Sequence, residues 1–220
     1  MLAVAGVLDA PTVSAIREQL DGDAVIVDGG DTAHGMARRA KRNEQLAPSR
    51  TATGIAKLVE ERLRTHPVIA AYARPSAFAR IQVNRYAEGM QYGWHVDDAH
   101  IGGMRTDLSF TCFLSGPDDY DGGELVVAES AGERRIKLPA GDCFVYPADT
   151  VHRVDTVTRG ERWAVVGWIR SQVRDGAQRE LLYECDQLVA AMHAPDSDRD
   201  ALMLALVRIR GRLQRMWSED

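Results

Sequence analysis

Apolar positions along the chain change their period twice. The opening run, MLAVAGVL, is short and apolar and predicts a strand, with a helix starting near Asp9 to Pro11. PTVSAIREQL (11–20) repeats its apolar residues at helical spacing, and Pro11 is tolerated in a first turn. AVIVDGG (24–30) reads as a short strand that ends in a turn. TATGIAKLVEERLRT (51–65) predicts an amphipathic helix with a stripe of Ile55, Leu58, Val59 and Leu63, and a further helical stretch ends near Pro75. From residue 78 the chain shortens into strand-like pieces: FARIQVNRY, DLSFTCFLS, GELVVAE, RRIKLPA, DCFVYPA, VHRVDTV and RWAVVGWI. Glycine, proline and aspartate punctuate them. After residue 171 the helical period returns in 178–192 and 201–217, with the polar APDSDRD between.

This pattern predicts three regions: helices and first strands over 1–77, an all-β core over 78–175, and a helical segment over 176–220. The fold class is mainly β with flanking helices (α+β). Short, evenly spaced antiparallel strands point to a sandwich or jelly roll.

Composition narrows the function classes. The 220 residues are 45 % hydrophobic and 27 % charged, as expected of a globular chain that buries a core. A formal net charge of -5 argues against a generally basic nucleic-acid binder. The cluster RRAKRN (38–43) reads as a solvated face, with an anionic partner as the alternative. Three widely spaced cysteines, Cys112, Cys143 and Cys185, form no CxxC and read as buried thiols in a reducing compartment. The N-terminal run lacks the length of a membrane span and the basic flank of a signal peptide. The expectation is a cytoplasmic protein with no membrane partner.

The chemistry concentrates in YGWHVDDAH (92–100). Side chains at i and i+2 of a strand share a face, so His95 and Asp97 present an imidazole and a carboxylate side by side. His152, in VYPADTVHRV, is the candidate third ligand, since a sandwich brings distant strands together. Two histidines and one carboxylate occupy one face of an octahedral metal and leave positions for a bidentate cosubstrate and dioxygen, the pattern of non-haem Fe(II) oxygenases. Thr158 to Glu161 reads as a hairpin turn, with Arg162 opening the next strand into the barrel. A buried guanidinium requires a partner, and a dicarboxylate ligand would supply one. Arg159, in the turn, is its solvated competitor.

Together these segments, NRYAEGMQYGWHVDDAH (84–100), DLSFTCFLSGPDDYDGGEL (107–125), 138–171 and LLYECDQL (181–188), resemble the Fe(II)/2-oxoglutarate-dependent dioxygenases of the prolyl-hydroxylase-like class, and more closely the bacterial PKHD-type hydroxylases. The resemblance implies a double-stranded β-helix core. It implies Fe(II) on His95, Asp97 and His152, and the distal carboxylate of 2-oxoglutarate on Arg162. Tyr86 matches a tyrosine that often hydrogen-bonds the cosubstrate. The implied activity is hydroxylation of an unactivated C–H coupled to conversion of 2-oxoglutarate and O2 to succinate and CO2, with L-ascorbate keeping the iron reduced. The substrate, a small molecule or a peptide or protein, is not named by these residues. A non-catalytic metal or 2-oxoglutarate sensor on the same scaffold is the main alternative; a zinc hydrolase or cupin-type isomerase leaves Arg162 unexplained.

The remaining candidates read more plainly. Tyr92 and Trp94 shape the mouth or pack. Asp98 and His100 belong to a solvated loop, and His34, His66 and His193 are structural or surface residues. Leu202, Leu204, Val207, Ile209 and Leu213 form a stripe for the core or, preferentially, for a second copy in a homo-oligomer.

Overall fold

A computed structural model describes residues 1–22, 24–32, 40–194 and 197–217. His34, Arg38 and Arg39, and with them part of the basic cluster, lie outside the described residues. The N-terminal segment begins with β1 (Leu2–Val4) and α1 (Ala10–Asp21). Asp9 caps α1 by accepting a hydrogen bond from the Thr12 amide at 2.9 Å. After β2 (Ile26–Asp28), β3 (Lys41–Arg42) and β4 (Glu44–Leu46) come α2 (Arg50–Thr65) and α3 (Pro67–Ala73). Ser49 caps α2, and Ile55, Val59 and Leu63 bury its predicted stripe.

The β region runs β5 (Pro75–Tyr86), β6 (Gln91–His95), β7 (His100–Ile101), β8 (Met104–Arg105), β9 (Leu108–Phe113), β10 (Tyr120–Gly122), β11 (Leu125–Glu129), β12 (Gly132–Ile136), β13 (Cys143–Pro147), β14 (His152–Val154), β15 (Val157–Gly160) and β16 (Arg162–Ser171). Two larger sheets result, ordered β1-β13-β9-β16-β5-β4-β2 and β12-β11-β14-β6-β3, and every pairing among the described strands is antiparallel. This is the double-stranded β-helix, with its helices against the larger sheet.

Strand alternation explains how the larger sheet faces both layers. Leu108, Phe110 and Cys112 of β9, Cys143 and Val145 of β13, and Trp163, Val165 and Ile169 of β16 join a core with α1, α2 and α3. The intervening residues face the smaller sheet. There Phe113, Phe144 and Tyr146 pack on Leu125, Val127 and Ile136, while Ser109, Thr111 and Arg162 line a cavity between the sheets.

Three expectations need correction. Thr158 to Glu161 is not a hairpin turn. β15 pairs with β10, whereas β16 pairs with β5 and β9, so the chain changes sheets at Glu161. Arg159 is a half-exposed strand residue held by Asp121 at 2.7 Å. The described part of the basic cluster is not uniformly solvated: Lys41 is buried beneath the edge of the small sheet, and only Arg42 is exposed. Finally, the C-terminal stripe is two faces. In the last helix, α5 (Arg199–Trp217), Leu202, Ile209 and Leu213 are at least partly buried, while Leu204 and Val207 point to solvent. The preceding α4 (Gly176–Met192) is its partner, joined by Arg212 to Glu184 at 2.6 Å. No described helix is long and apolar enough to cross a membrane.

Gly141 ties the N-terminal segment to the barrel. Its carbonyl accepts the Leu8 amide at 2.9 Å. Its φ is +94°, and a Cβ there would sit 2.2 Å from the Leu8 carbonyl oxygen. Gly141→Ala therefore combines left-handed strain with a backbone clash and should lower stability by about 2–4 kcal/mol, read as a shifted denaturant midpoint with unchanged slope.

Candidate metal and cosubstrate site

The β6–β14 ladder brings His95 and His152 opposite each other in register. Their rings lie 4.1 Å apart between centroids. Asp97 follows β6 directly, and its Oδ1 lies 3.9 Å from each Nε2. All three donor atoms fall within 4.8 Å of one another, the one such group among the described residues. Donors 3.9 Å apart are within reach of two metal–ligand bonds of about 2.1 Å each.

The surroundings prepare those donors. His95 Nδ1 sits 2.9 Å from the Gly93 carbonyl, and His152 Nδ1 sits 2.9 Å from the Thr150 carbonyl. A carbonyl only accepts, so each Nδ1 carries the proton and each Nε2 keeps its lone pair toward the centre. Ser109 donates to Asp97 Oδ2 at 2.5 Å, which leaves Oδ1 for a cation. Tyr92 stacks on the His95 ring at 3.6 Å, and Tyr146 meets His152 edge-on at 5.1 Å. Burial holds both phenols above their ordinary pKa. Two neutral imidazoles and one carboxylate form a mixed N/O donor set that suits Fe(II).

The same cavity contains Arg162, which is 1 % exposed. Its guanidinium lies between the rings of Tyr86 and Phe113, 5.3 Å from each centroid. Nε has no hydrogen-bond partner, and among the described residues no carboxylate lies within ion-pair distance of it. Tyr86 is fully buried; burial pushes its hydroxyl up to about 12 against the opposing pull of Arg162. A buried guanidinium with no ion-pair partner among the described residues, beside a buried phenol, suits a carboxylate.

A PKHD-type hydroxylase of Maricaulis maris is 49 % identical over 91 % of each chain, and one of Parvibaculum lavamentivorans is 45 % identical over 100 % of this chain and 99 % of its own. The chain belongs to the PKHD-type hydroxylases. The sequence profile of the 2OG-Fe(II) oxygenase superfamily matches residues 81–170. The fold agrees with a Pseudomonas putida prolyl-4-hydroxylase (TM-score 0.54, 17 % identity, 78 % of this chain and 92 % of that one). It also agrees with a Trichoplax adhaerens prolyl hydroxylase (TM-score 0.56, 14 % identity, 82 % and 86 %). This PKHD-type hydroxylase is thus an Fe(II)- and 2-oxoglutarate-dependent dioxygenase, with 2-oxoglutarate and O2 as cosubstrates.

Other predicted residues sit further out. Trp94 is 42 % exposed and stacks under Arg153 at 4.2 Å rather than entering the cavity. Asp98 lines the cavity at its solvent-exposed rim, while His100 is exposed in the β7–β8 hairpin. His66 ends α2, and His193 ends α4 with Nδ1 2.7 Å from the Val189 carbonyl. Sequence reasoning missed Ser109, Lys41, Arg80 and Trp168, all of which line the cavity. Only Ser109 carried a signal: with Thr111 it forms a polar stripe inside an otherwise apolar strand.

In the metal-free chain, burial first and the His152 ring second pull His95 down to about 4. Unfolded, the same imidazole takes its proton near pH 6.5. Between these values the unfolded state holds more protons, so stability rises with pH. Acidifying metal-free protein from pH 6.5 toward 4 should progressively destabilise it in urea titrations, and His95→Gln should flatten that slope.

Proposed function

We propose that His95, Asp97 and His152 hold the Fe(II) of this hydroxylase, and that Arg162 and Tyr86 bind its 2-oxoglutarate. The convergence of three donor atoms within 4.8 Å, in one cavity with an unpaired buried guanidinium, carries this reading. Bound there, Fe(II) together with 2-oxoglutarate and O2 supplies the oxidising power for C–H hydroxylation, with release of succinate and CO2.

The chain's own residues have narrower tasks. Gly93 and Thr150 fix the two imidazole tautomers through their carbonyls, and Ser109 fixes the carboxylate rotamer. Arg162 orients a diacid by pairing with one of its carboxylates, with Tyr86 as a neutral donor beside it. Leu125, Val154 and Val166 line the cavity with apolar surface, which limits water around the reacting centre. The substrate is a small molecule, or a peptide or protein side chain. L-Ascorbate serves as the reductant that keeps the iron ferrous. The protein acts in the cytoplasm, and the exposed face of α5 with Leu204 and Val207 is available to a second copy of the chain.

Incubation with Fe(II), 2-oxoglutarate and O2 should yield succinate, whereas a sensor would bind 2-oxoglutarate and return it unchanged. Alanine at His95, Asp97 or His152 should abolish succinate formation and Fe(II) binding; full turnover by His152→Ala would refute the assignment. Arg162→Ala should leave Fe(II) bound while raising the 2-oxoglutarate requirement at least about 100-fold, the cost of removing one partner of a buried ion pair. Ser109→Ala should weaken Fe(II) binding about 10- to 100-fold in a competitive chelator titration, with the fold retained.

A further inference from the structure

A second set of donors lies further along the same cavity, and the reading above leaves it without a task. Arg80, Trp168 and Lys41 all line it. Arg80 occupies a bulge. Val166 pairs with Gln82 and Trp168 with Ala79, so Gly167 alone faces both Ile81 and Arg80. The backbone of Arg80 is left-handed there, with φ +38°. A non-glycine residue in that region is strained, and bulges next to functional sites commonly re-aim a side chain. Gly167 permits the bulge, because a Cβ on it would sit 2.7 Å from the Phe110 ring and 3.2 Å from Ile81.

Arg80 is exposed where it lines the cavity, and it makes no ion pair with any described residue. The Trp168 Nε1–H is buried without a hydrogen-bond partner. Lys41 packs over the Tyr92 ring at 5.1 Å. Burial first, and then the neighbouring Arg80 charge, pull the Lys41 ammonium down to about 8. Two cations are therefore crowded at one end of the cavity beside an idle N–H donor. The carboxylates around Lys41 include Asp97, which Ser109 engages, and Asp28, while Asp98 lies at the exposed rim, so Arg80 is the cation here that forms no ion pair with a described residue.

These donors do not duplicate Arg162. Trp168 lies six residues further along β16 than Arg162, roughly 20 Å of strand. Trp168 is the register partner of Ser109, which holds Asp97. The second cluster is thus level with the metal-ligand candidates, where the C–H to be hydroxylated must lie.

We infer that Arg80 and Trp168 form a subsite for a carboxylate of the hydroxylated substrate, an organic acid. The inference rests on the assignment of Arg162 to 2-oxoglutarate, and its test separates the two.

The full chain is loaded with Mn(II) and 2-oxoglutarate, so that no turnover occurs. Binding of phenylacetate, its uncharged amide phenylacetamide, and phenyl phosphate is then followed by ligand-observed NMR. Phenylacetate should bind about tenfold more tightly than the amide, as a charge-assisted hydrogen bond implies. Arg80→Met should erase that preference and Trp168→Phe should reduce it, while calorimetric 2-oxoglutarate affinity stays within about twofold of wild type in both. Failure of the acid to bind at millimolar concentration, equal binding of acid and amide, or a preference that survives in Arg80→Met overturns the proposal. Tighter binding of phenyl phosphate than of phenylacetate overturns the carboxylate in favour of a phosphate. If 2-oxoglutarate affinity is lost in Arg80→Met but kept in Arg162→Met, the Arg162 assignment itself has failed.

Discussion

A guanidinium buried between two aromatic rings, with no carboxylate among the described residues to neutralise it, is the constraint around which this cavity is organised. Burying a charge without a partner costs several kcal/mol, and proteins avoid it unless a ligand supplies the counter-charge. Arg162 is held in that state by its position at the start of β16, between β5 and β9 in the larger sheet. Tyr86 is its register partner on β5, and the side chains of both point between the sheets. The rings on either side soften the desolvation without removing the charge. What remains is a preference for anions, built into a wall that cannot move without unzipping the central strands.

The same strand logic aligns the metal-ligand candidates. His95 and His152 are cross-strand partners, so their convergence follows from the β6–β14 register, and a slip of one residue would turn both imidazoles to the opposite face. Backbone carbonyls at Gly93 and Thr150, two residues before each histidine, orient the rings. The arrangement is symmetrical in its chemistry, with each strand supplying both the ligand and the group that fixes its tautomer. Ser109 reaches Asp97 from the other sheet, so the site also joins the two layers.

Much of this was legible in the residues. The amphipathic stripe of α2 and the alternation in β9, β13 and β16 depend on local period, which sequence displays directly. His95 and Asp97 share one short segment, and only one later histidine, His152, lies among the core strands. Pairings set by tertiary context were not legible. VTRG (157–160) has turn chemistry and becomes β15 only because β10 lies alongside it. Lys41 follows a basic run yet is buried, because from the edge strand of the small sheet it packs over the Tyr92 ring. Arg80 looks like an ordinary strand arginine; its special position arises from the register shift opposite Gly167, and no single-sequence pattern reports that.

Charge balance ties the two ends of the cavity together. A ferrous ion held by Asp97 as its one anionic protein ligand keeps a single net positive charge, and Arg162 adds a second. The two carboxylates of 2-oxoglutarate cancel both, so the proposed metal and cosubstrate leave that part of the cavity neutral. Arg80, which makes no ion pair with any described residue, is then in excess, with Asp98 at the rim facing water. Such an excess attracts one further anion and penalises neutral analogues of the same shape. Selectivity among substrates would accordingly be set by the strained turn of β5 at Arg80, while the strands that carry Arg162 and the histidines serve the chemistry shared by every substrate.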